Sequence, residues 1–476
     1  MIKSISSAFL LLISSFCLAT DVEVTYVESV RGLDSEPYAI NFTISWKNSW
    51  HNERNRDAAW VFFKLDLEDG SRHQYLKAGS AKMLWKGANA MPDAKIEVAE
   101  DGAGLFVFPG TKYRGDITYH ITVERDTTKT NFRTRFERME AIAIEMVYIP
   151  EGGFTLGDPL KEALNFGAFY QSDSNGDFDG LFKITSASQE IPVGPDKGSL
   201  YYQSRNNIYQ GDQKGTIPSD FPNGYESFYI MKYEVTQGQY ARFLNLIGKT
   251  AATVRVNFGS PNYKKHGGTI ELKDGKYVAA APDRRNVYFH WDDMMAFTDW
   301  AALRPYTELE FTKACRGPLR PKSREYPWNT SSIDRMVNRI DPVTQEQVFL
   351  NGMTEADLTE ENREIFGASY YWVMNLAGSM WEKVITVGDE KGRSFKGVHG
   401  DGSISYYGYA DVEDWPEGFR EVEGYGYRGG GYYGVKGDIT DFNPFSPIAF
   451  RRYGAWSGGP RNAAYGYRAA RTAPTD

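Results

Sequence analysis

F-Y-I-M-K-Y-E-V-T-Q-G-Q-Y-A-R-F-L-N, residues 228–245, carries its own helix-start signal. Thr236 stands three residues ahead of Gln239, a capping box in which each side chain satisfies a backbone N–H of the other's residue. Tyr240, Phe243, Leu244 and Ile247 then fall on one face and Gly248 supplies a stop, so the spacing predicts a helix ending near 247. Thr307 and Glu310 repeat the device before Leu309 and Phe311. Between them Trp291, Met294, Met295, Thr298 and Ala302 recur at i, i+3, i+4 spacing, which predicts an amphipathic helix over 291–303 with its Met and Trp residues in the core.

Seven further segments surround that stretch in a fixed order: M-V-Y-I-P-E-G-G-F-T-L-G-D (146–158), H-W-D-D-M-M-A-F-T-D-W (290–300), Y-T-E-L-E-F-T-K-A-C-R-G (306–317), Y-P-W-N (326–329), N-L-A-G-S-M-W-E (375–382), R-G-G-G (428–431) and Y-G-Y-R-A-A-R (465–471). Together with 228–245 they resemble the formylglycine-generating enzyme, or sulfatase-modifying factor, family. The resemblance implies a C-type-lectin-like core with little regular secondary structure. The composition suits such a core: 47 glycines supply positive φ for many turns, and aromatics at 15% supply large buried rings.

The first residues set the compartment. Lys3 precedes a short apolar run at 8–18, and Cys17-Leu18-Ala19 forms a small-x-small cleavage site, so 1–19 reads as a secretory signal peptide and the mature chain as periplasmic or extracellular. Phe16 is bulky where a lipoprotein acceptor motif wants a small residue, which disfavours lipid anchoring at Cys17. With Cys17 removed, Cys315 is the one cysteine left of two; this excludes an internal disulfide and a thiolate metal cluster, and Cys315 reads as inert core.

Length asks for more than one domain. Residues 22–27, 39–46, 58–67, 95–98, 104–109 and 117–125 read as short strands between turn residues, predicting an immunoglobulin-like or fibronectin-like β-sandwich over 20–138 that is separable from the rest. The second domain, 139–476, completes an α+β chain and is interrupted by a long polar insertion at about 159–222. S-D-S-N-G-D-F-D-G (172–180) lies in it, but lacks the register of a calcium loop and reads as a solvated turn.

The chemistry the resemblance implies is copper oxidation through two thiols, soft ligands suited to Cu(I). Their positions fall at Gly434 and Ile439, in and just after Y-R-G-G-G-Y-Y-G-V-K-G-D (427–438), and no cysteine follows Cys315. The related sulfoxide synthases hold iron with histidine and carboxylate on an added helical bundle, but the six histidines here include no H-x-x-x-H pair. Neither copper nor iron is therefore expected. A structural calcium is: the resemblance carries its oxygen ligands to Asn375, Gly378, Met380 and Glu382, with a second family site falling near Asn338.

Arg451, Arg452, Arg461, Arg468 and Arg471, interleaved with Tyr453, Trp456, Tyr465 and Tyr467, form a basic aromatic segment. Within it Arg452, Trp456 and Arg461 are the candidate residues for a protein or glycan ligand. A net charge of −8 argues against nucleic acid, and after the leader no stretch is apolar enough to span a membrane. Three functions follow from these features. The first is an exported, non-catalytic binding or structural protein, in effect a pseudoenzyme. The second is a divergent oxidoreductase or sulfatase-modifying enzyme acting on protein substrates. The third is a variable ligand-binding protein of a diversity-generating retroelement.

Overall fold

The computed structural model describes residues 22–30, 38–67, 69–129, 138–203, 209–340, 347–417, 422–431, 446–459, 461 and 464–474. Residues 1–19, expected to be a leader, and Gly434 and Ile439 lie outside the described residues.

Nine strands build the N-terminal part: β1 (Glu23–Val30), β2 (Ala39–His51), β3 (Asp57–Leu67), β4 (Gly70–Gln74), β5 (Lys82–Lys86), β6 (Ala94–Val98), β7 (Leu105–Pro109), β8 (Tyr113–Glu124) and β9 (Arg138–Ile149). One antiparallel sheet runs β1-β2-β8-β5. Alternation along β2 turns Ile40, Phe42, Ile44 and Trp46 inward, and Ile117, Tyr119, Ile121 and Val123 of β8 do the same. They pack on Ala59, Val61, Phe63, Leu105 and Val107 of a second sheet, so the two sheets form a sandwich.

That second sheet is also the wall of another core. Its order is β6-β7-β3-β9, followed by the strands Phe228–Met231 and Ala470–Thr472 from late in the chain, with β4 on β3. The even residues of β3 (Ala58, Trp60, Phe62) and of β7 (Phe106, Phe108) face away from the sandwich into the larger core, with Phe243, Phe297 and Trp300. Burial on both faces explains why β3 reads A-A-W-V-F-F without alternation. The Trp60 indole donates to Ala301 O at 2.9 Å, and the buried Lys64 ammonium to Trp300 O at 2.6 Å. Position 138 is thus the first residue of a strand common to both parts: β9 pairs with β3 from Asp57↔Val147 to Asp66↔Arg138 and with the strand Phe228–Met231 on its other edge.

Beyond β9 the described structure is strands in several sheets and a few short helices. The helix Gln237–Leu246 has the capping box of Thr236 and Gln239, and Glu308–Arg316 that of Thr307 and Glu310. The helix Trp291–Trp300 departs from the amphipathic expectation, because all ten of its residues are buried. Its three aspartates survive burial by being held: Asp293 accepts the His290 N–H at 2.8 Å, Asp292 takes Arg255, and Asp299 accepts the N–H groups of Asp401 and Asp411.

The insertion is not a polar excursion. Its short strands make a five-stranded sheet, and Phe169, Ile184, Ile191, Leu200 and Tyr202 join the larger core. The Asp/Asn/Gly loop closes on itself, Asp173 Oδ1 accepting the N–H of Asn175 at 2.7 Å and of Asp177 at 2.9 Å. Among the described residues no helix is long and apolar enough to cross a membrane.

Candidate functional site

The strand Trp381–Ile385 lies between Tyr425–Arg428, antiparallel to it, and Tyr465–Gly466, parallel to it. Register sorts this sheet into two chemistries, because side chains alternate across a strand. Trp381 lies opposite Tyr465 and Lys383 opposite Tyr427, while Glu382 lies opposite Arg428 on the other face.

The Glu382 face is a buried ion-pair network. Arg468 grips Glu382 with Nε to Oε2 at 2.7 Å and Nη2 to Oε1 at 2.6 Å, and the Tyr306 hydroxyl donates to Oε2 at 2.6 Å. Arg451 holds Glu308 in the same two-pronged way at 2.6 and 2.8 Å, with Arg428 adding a contact at 3.1 Å. Burial pushes the Glu308 carboxyl up, but Arg451 and Arg428 more than offset it and leave the group below the usual carboxylate range.

This network decides the fit of calcium. A calcium carboxylate must offer its oxygens to the metal, and both oxygens of Glu382 are taken by a guanidinium. Gly378 donates its N–H to Gly429 O at 3.1 Å, and the Met380 sulfur lies 3.2 Å from Arg285 Nε. Asn375 turns elsewhere: its amide donates to Gln347 Oε1 at 2.8 Å and its oxygen accepts from Asn338 at 3.2 Å. The Glu382 and Asn375 side chains therefore do not fit calcium as the resemblance arranges them, since an internal cation already engages the carboxylate and the amide is turned to other partners.

The opposite face is aromatic. Tyr427 lies 4.9 Å from Tyr465 and 5.3 Å from Trp456, Trp456 lies 5.6 Å from Tyr453, and Tyr453 meets Trp381 at 5.3 Å and Tyr209 at 5.9 Å. The Tyr427 hydroxyl donates to Gly458 O at 3.0 Å and that of Tyr425 to Ser457 O at 2.6 Å, which pins the Trp456 loop on the sheet. Tyr209 is 48% exposed, and Trp381, Tyr453, Trp456 and Tyr465 are half-buried, so five rings form a shelf open to solvent.

Lys383 lies beneath it, fully buried, with its ammonium 5.4 to 5.7 Å from the ring centroids of Tyr425, Tyr427 and Tyr465 and donating to Phe289 O at 3.3 Å. Burial pulls its pKa down to about 7, only partly offset by Asp293 and Asp292.

Of the candidate ligand residues, Trp456 is central to the shelf and Arg452 is exposed beside it, its carbonyl accepting the Tyr209 N–H at 2.9 Å. Arg461 is not available to a ligand: Asp293 holds it through two contacts of 2.6 Å. Arg451, Arg468 and Arg471 are likewise buried in ion pairs, and Tyr467 is fully buried. The sequence did not mark Tyr209 or Trp381 for a ligand: Tyr209 carries no local signal beyond an aromatic letter, and Trp381 stands out only as part of N-L-A-G-S-M-W-E. Cys315 is buried in the helix Glu308–Arg316, and desolvation pushes its thiol well above the usual range.

The model of the sulfatase-modifying factor enzyme 1-like domain matches residues 196–473, more than half of the chain. The chain belongs to this family. A formylglycine-generating enzyme from Bos taurus is 24% identical over 191 residues, 33% of this chain and 48% of its own length. One from Thermomonospora curvata is 28% identical over 109 residues, 23% of this chain and 35% of its own. The chain thus spans less than half the length of either relative. Among solved structures, a group B streptococcus pilus 2b backbone protein aligns with 40% of this chain and 88% of its own at 12% identity, with a TM-score of 0.13, too slight a likeness to bear on the fold. Within the sulfatase-modifying factor domain, R-G-G-G is a site of close approach. Gly429 has φ +87°, and a Cβ there would stand 2.8 Å from Leu376 O, which only glycine avoids.

Proposed function

We propose that this chain is an exported, non-catalytic binding protein in which the sulfatase-modifying factor domain presents an aromatic shelf to a protein or glycan ligand. The observation that carries this reading is the shelf itself: Tyr209, Trp381, Tyr453, Trp456 and Tyr465 leave their rings partly open to solvent, where large rings otherwise seek the core. Rings in such numbers offer stacking area at small entropic cost, and Arg452 at the edge adds a charge. The thiol count supports the absence of oxidase chemistry. Two cysteines stand in the sequence, one in the leader and one, Cys315, sealed in a helix. A lectin-like core for the domain and a periplasmic or extracellular address belong to the same proposal.

The test is a glycan array and a pull-down from exported proteins, run with the wild type, Trp456→Ala and Tyr453→Ala. The reading expects binding that either substitution weakens at least about tenfold, the share of one hot-spot ring, with melting curves close to wild type. Retained binding in both folded variants would place recognition elsewhere and refute it.

A further inference from the structure

A second aromatic surface lies off the shelf and shares no residue with it. Residues 403–409 read S-I-S-Y-Y-G-Y, and Tyr406 and Tyr407 are 74% and 66% exposed, their ring centroids 5.2 Å apart and their planes at 80°. Large rings otherwise seek the core, so two of them side by side in solvent ask for a partner. The loop that carries them is fixed. Asp401 and Asp411, at its two ends, donate their N–H groups to the two oxygens of Asp299 at 3.1 and 3.2 Å, which closes a compact loop on the helix Trp291–Trp300. Across the tip the Ser405 N–H donates to Tyr409 O and the Gly408 N–H to Ser405 O, both at 2.8 Å. Gly408 has φ +85°, and a Cβ there would stand 2.9 Å from Ala251 Cα, so glycine lets the tip press on the helix Lys249–Val254. Tyrosines on a fixed loop with Ser and Gly between them offer contact area at low entropic cost, as protein-recognition loops do.

Charge is the second, independent observation. Residues 401–417 hold five carboxylates, Asp401, Asp411, Glu413, Asp414 and Glu417, and no lysine or arginine. All but Asp414 are exposed, and among the described residues none of the five is in an ion pair. The bases that touch this segment are engaged elsewhere. Arg255, 4.4 Å from the Tyr409 centroid, is held by Asp292 at 2.6 Å and Asp293 at 3.0 Å. Lys396, whose N–H Asp414 accepts, pairs with Asp220 at 3.3 Å. The buried Lys64 ammonium donates to the carbonyls of Trp300 and Gly402 and not to a carboxylate. Tyr409 is therefore already covered by a cation, whereas the Tyr406 and Tyr407 rings and the exposed carboxylates are left for a partner to meet.

We propose that the loop 401–411 docks an arginine-rich segment of a partner protein. Guanidinium groups would stack on Tyr406 and Tyr407, and neighbouring basic side chains would meet Asp401, Asp411 and Glu413. Arginine suits this surface better than lysine, because its planar, weakly hydrated head stacks on rings while it pairs with carboxylates. Tyrosine and arginine are also the residue types that most often dominate the binding energy of protein interfaces.

Calorimetric titration of the full chain with a short capped peptide alternating arginine and glycine, and with its lysine and glutamine counterparts, tests this. The expected result is saturable binding of the arginine peptide that weakens as salt is added, weaker binding of the lysine peptide and none of the glutamine peptide. Combining Tyr406→Ala with Tyr407→Ala should weaken the arginine peptide by about tenfold, the share of two exposed cation–π contacts, and Glu413→Gln should weaken it by less. Both tyrosines are exposed, so the double variant should melt as the wild type does, which separates loss of binding from loss of fold. Absence of saturable binding, equal binding of the lysine or the glutamine peptide, or an unchanged affinity in the folded double variant overturns the proposal.

Discussion

Glu382 and Arg468 are 86 residues apart in sequence and meet through two hydrogen bonds of 2.7 and 2.6 Å. Removing one partner of such a pair strands the other charge in the core, at a cost of about 3–5 kcal/mol. Glu382→Gln should therefore lower the melting temperature equally in calcium and in chelator; a loss confined to calcium-containing buffer would restore the metal reading. Lys383 gives a second prediction. Its folded pKa is depressed from 10.5 to about 7, so between those values the unfolded chain binds a proton that the folded one does not, and stability rises with pH across that window. Urea unfolding at pH 7 and pH 9 should show the wild type gaining on Lys383→Met by up to about 1.4 kcal/mol per pH unit. A pH-independent difference would mean that the ammonium is solvated. Asn375 and Glu382 were legible as oxygen donors, but the arginine that engages Glu382 was not, because Arg468 lies 86 residues on, just past the strand Tyr465–Gly466, and meets it only in the fold.

Elements that carry local signals were the easiest to read. Both capping boxes were spelled by Thr and Gln or Glu three residues apart, and the helices start where they say. The helix Trp291–Trp300 was legible as a helix but not as one buried on every side, since that depends on the elements wrapped around it. β9 was missed because both its edges find partners far away in sequence, β3 on one side and Phe228–Met231 on the other. The expectation that 20–138 can be removed does not survive this strand. Cutting there strips β3 from β9, takes Trp60 and Phe62 out of the larger core and exposes Ile142, Ile144 and Met146. A chain beginning at 139 should be recovered in aggregates, while a chain that keeps 20–138 stays in solution; a monodisperse, cooperatively melting fragment would show that the shared sheet is dispensable.

At the scale of the whole molecule, the chain is three layers: an outer sheet, a shared sheet that feeds two cores, and a family domain with ion pairs on one face of its small sheet and rings on the other. Family membership was legible because its landmarks are strings of sequence, whereas the shelf was legible only in part, since Tyr209 reaches Tyr453 from across the chain. On the proposed function this domain recognises rather than oxidises. The direct test is to incubate the purified protein with copper, oxygen and a sulfatase-type cysteine peptide and to measure the peptide aldehyde by mass spectrometry. No formylglycine is expected above the copper-only control; aldehyde formed in excess of that control, in proportion to the protein added, would show that the domain oxidises.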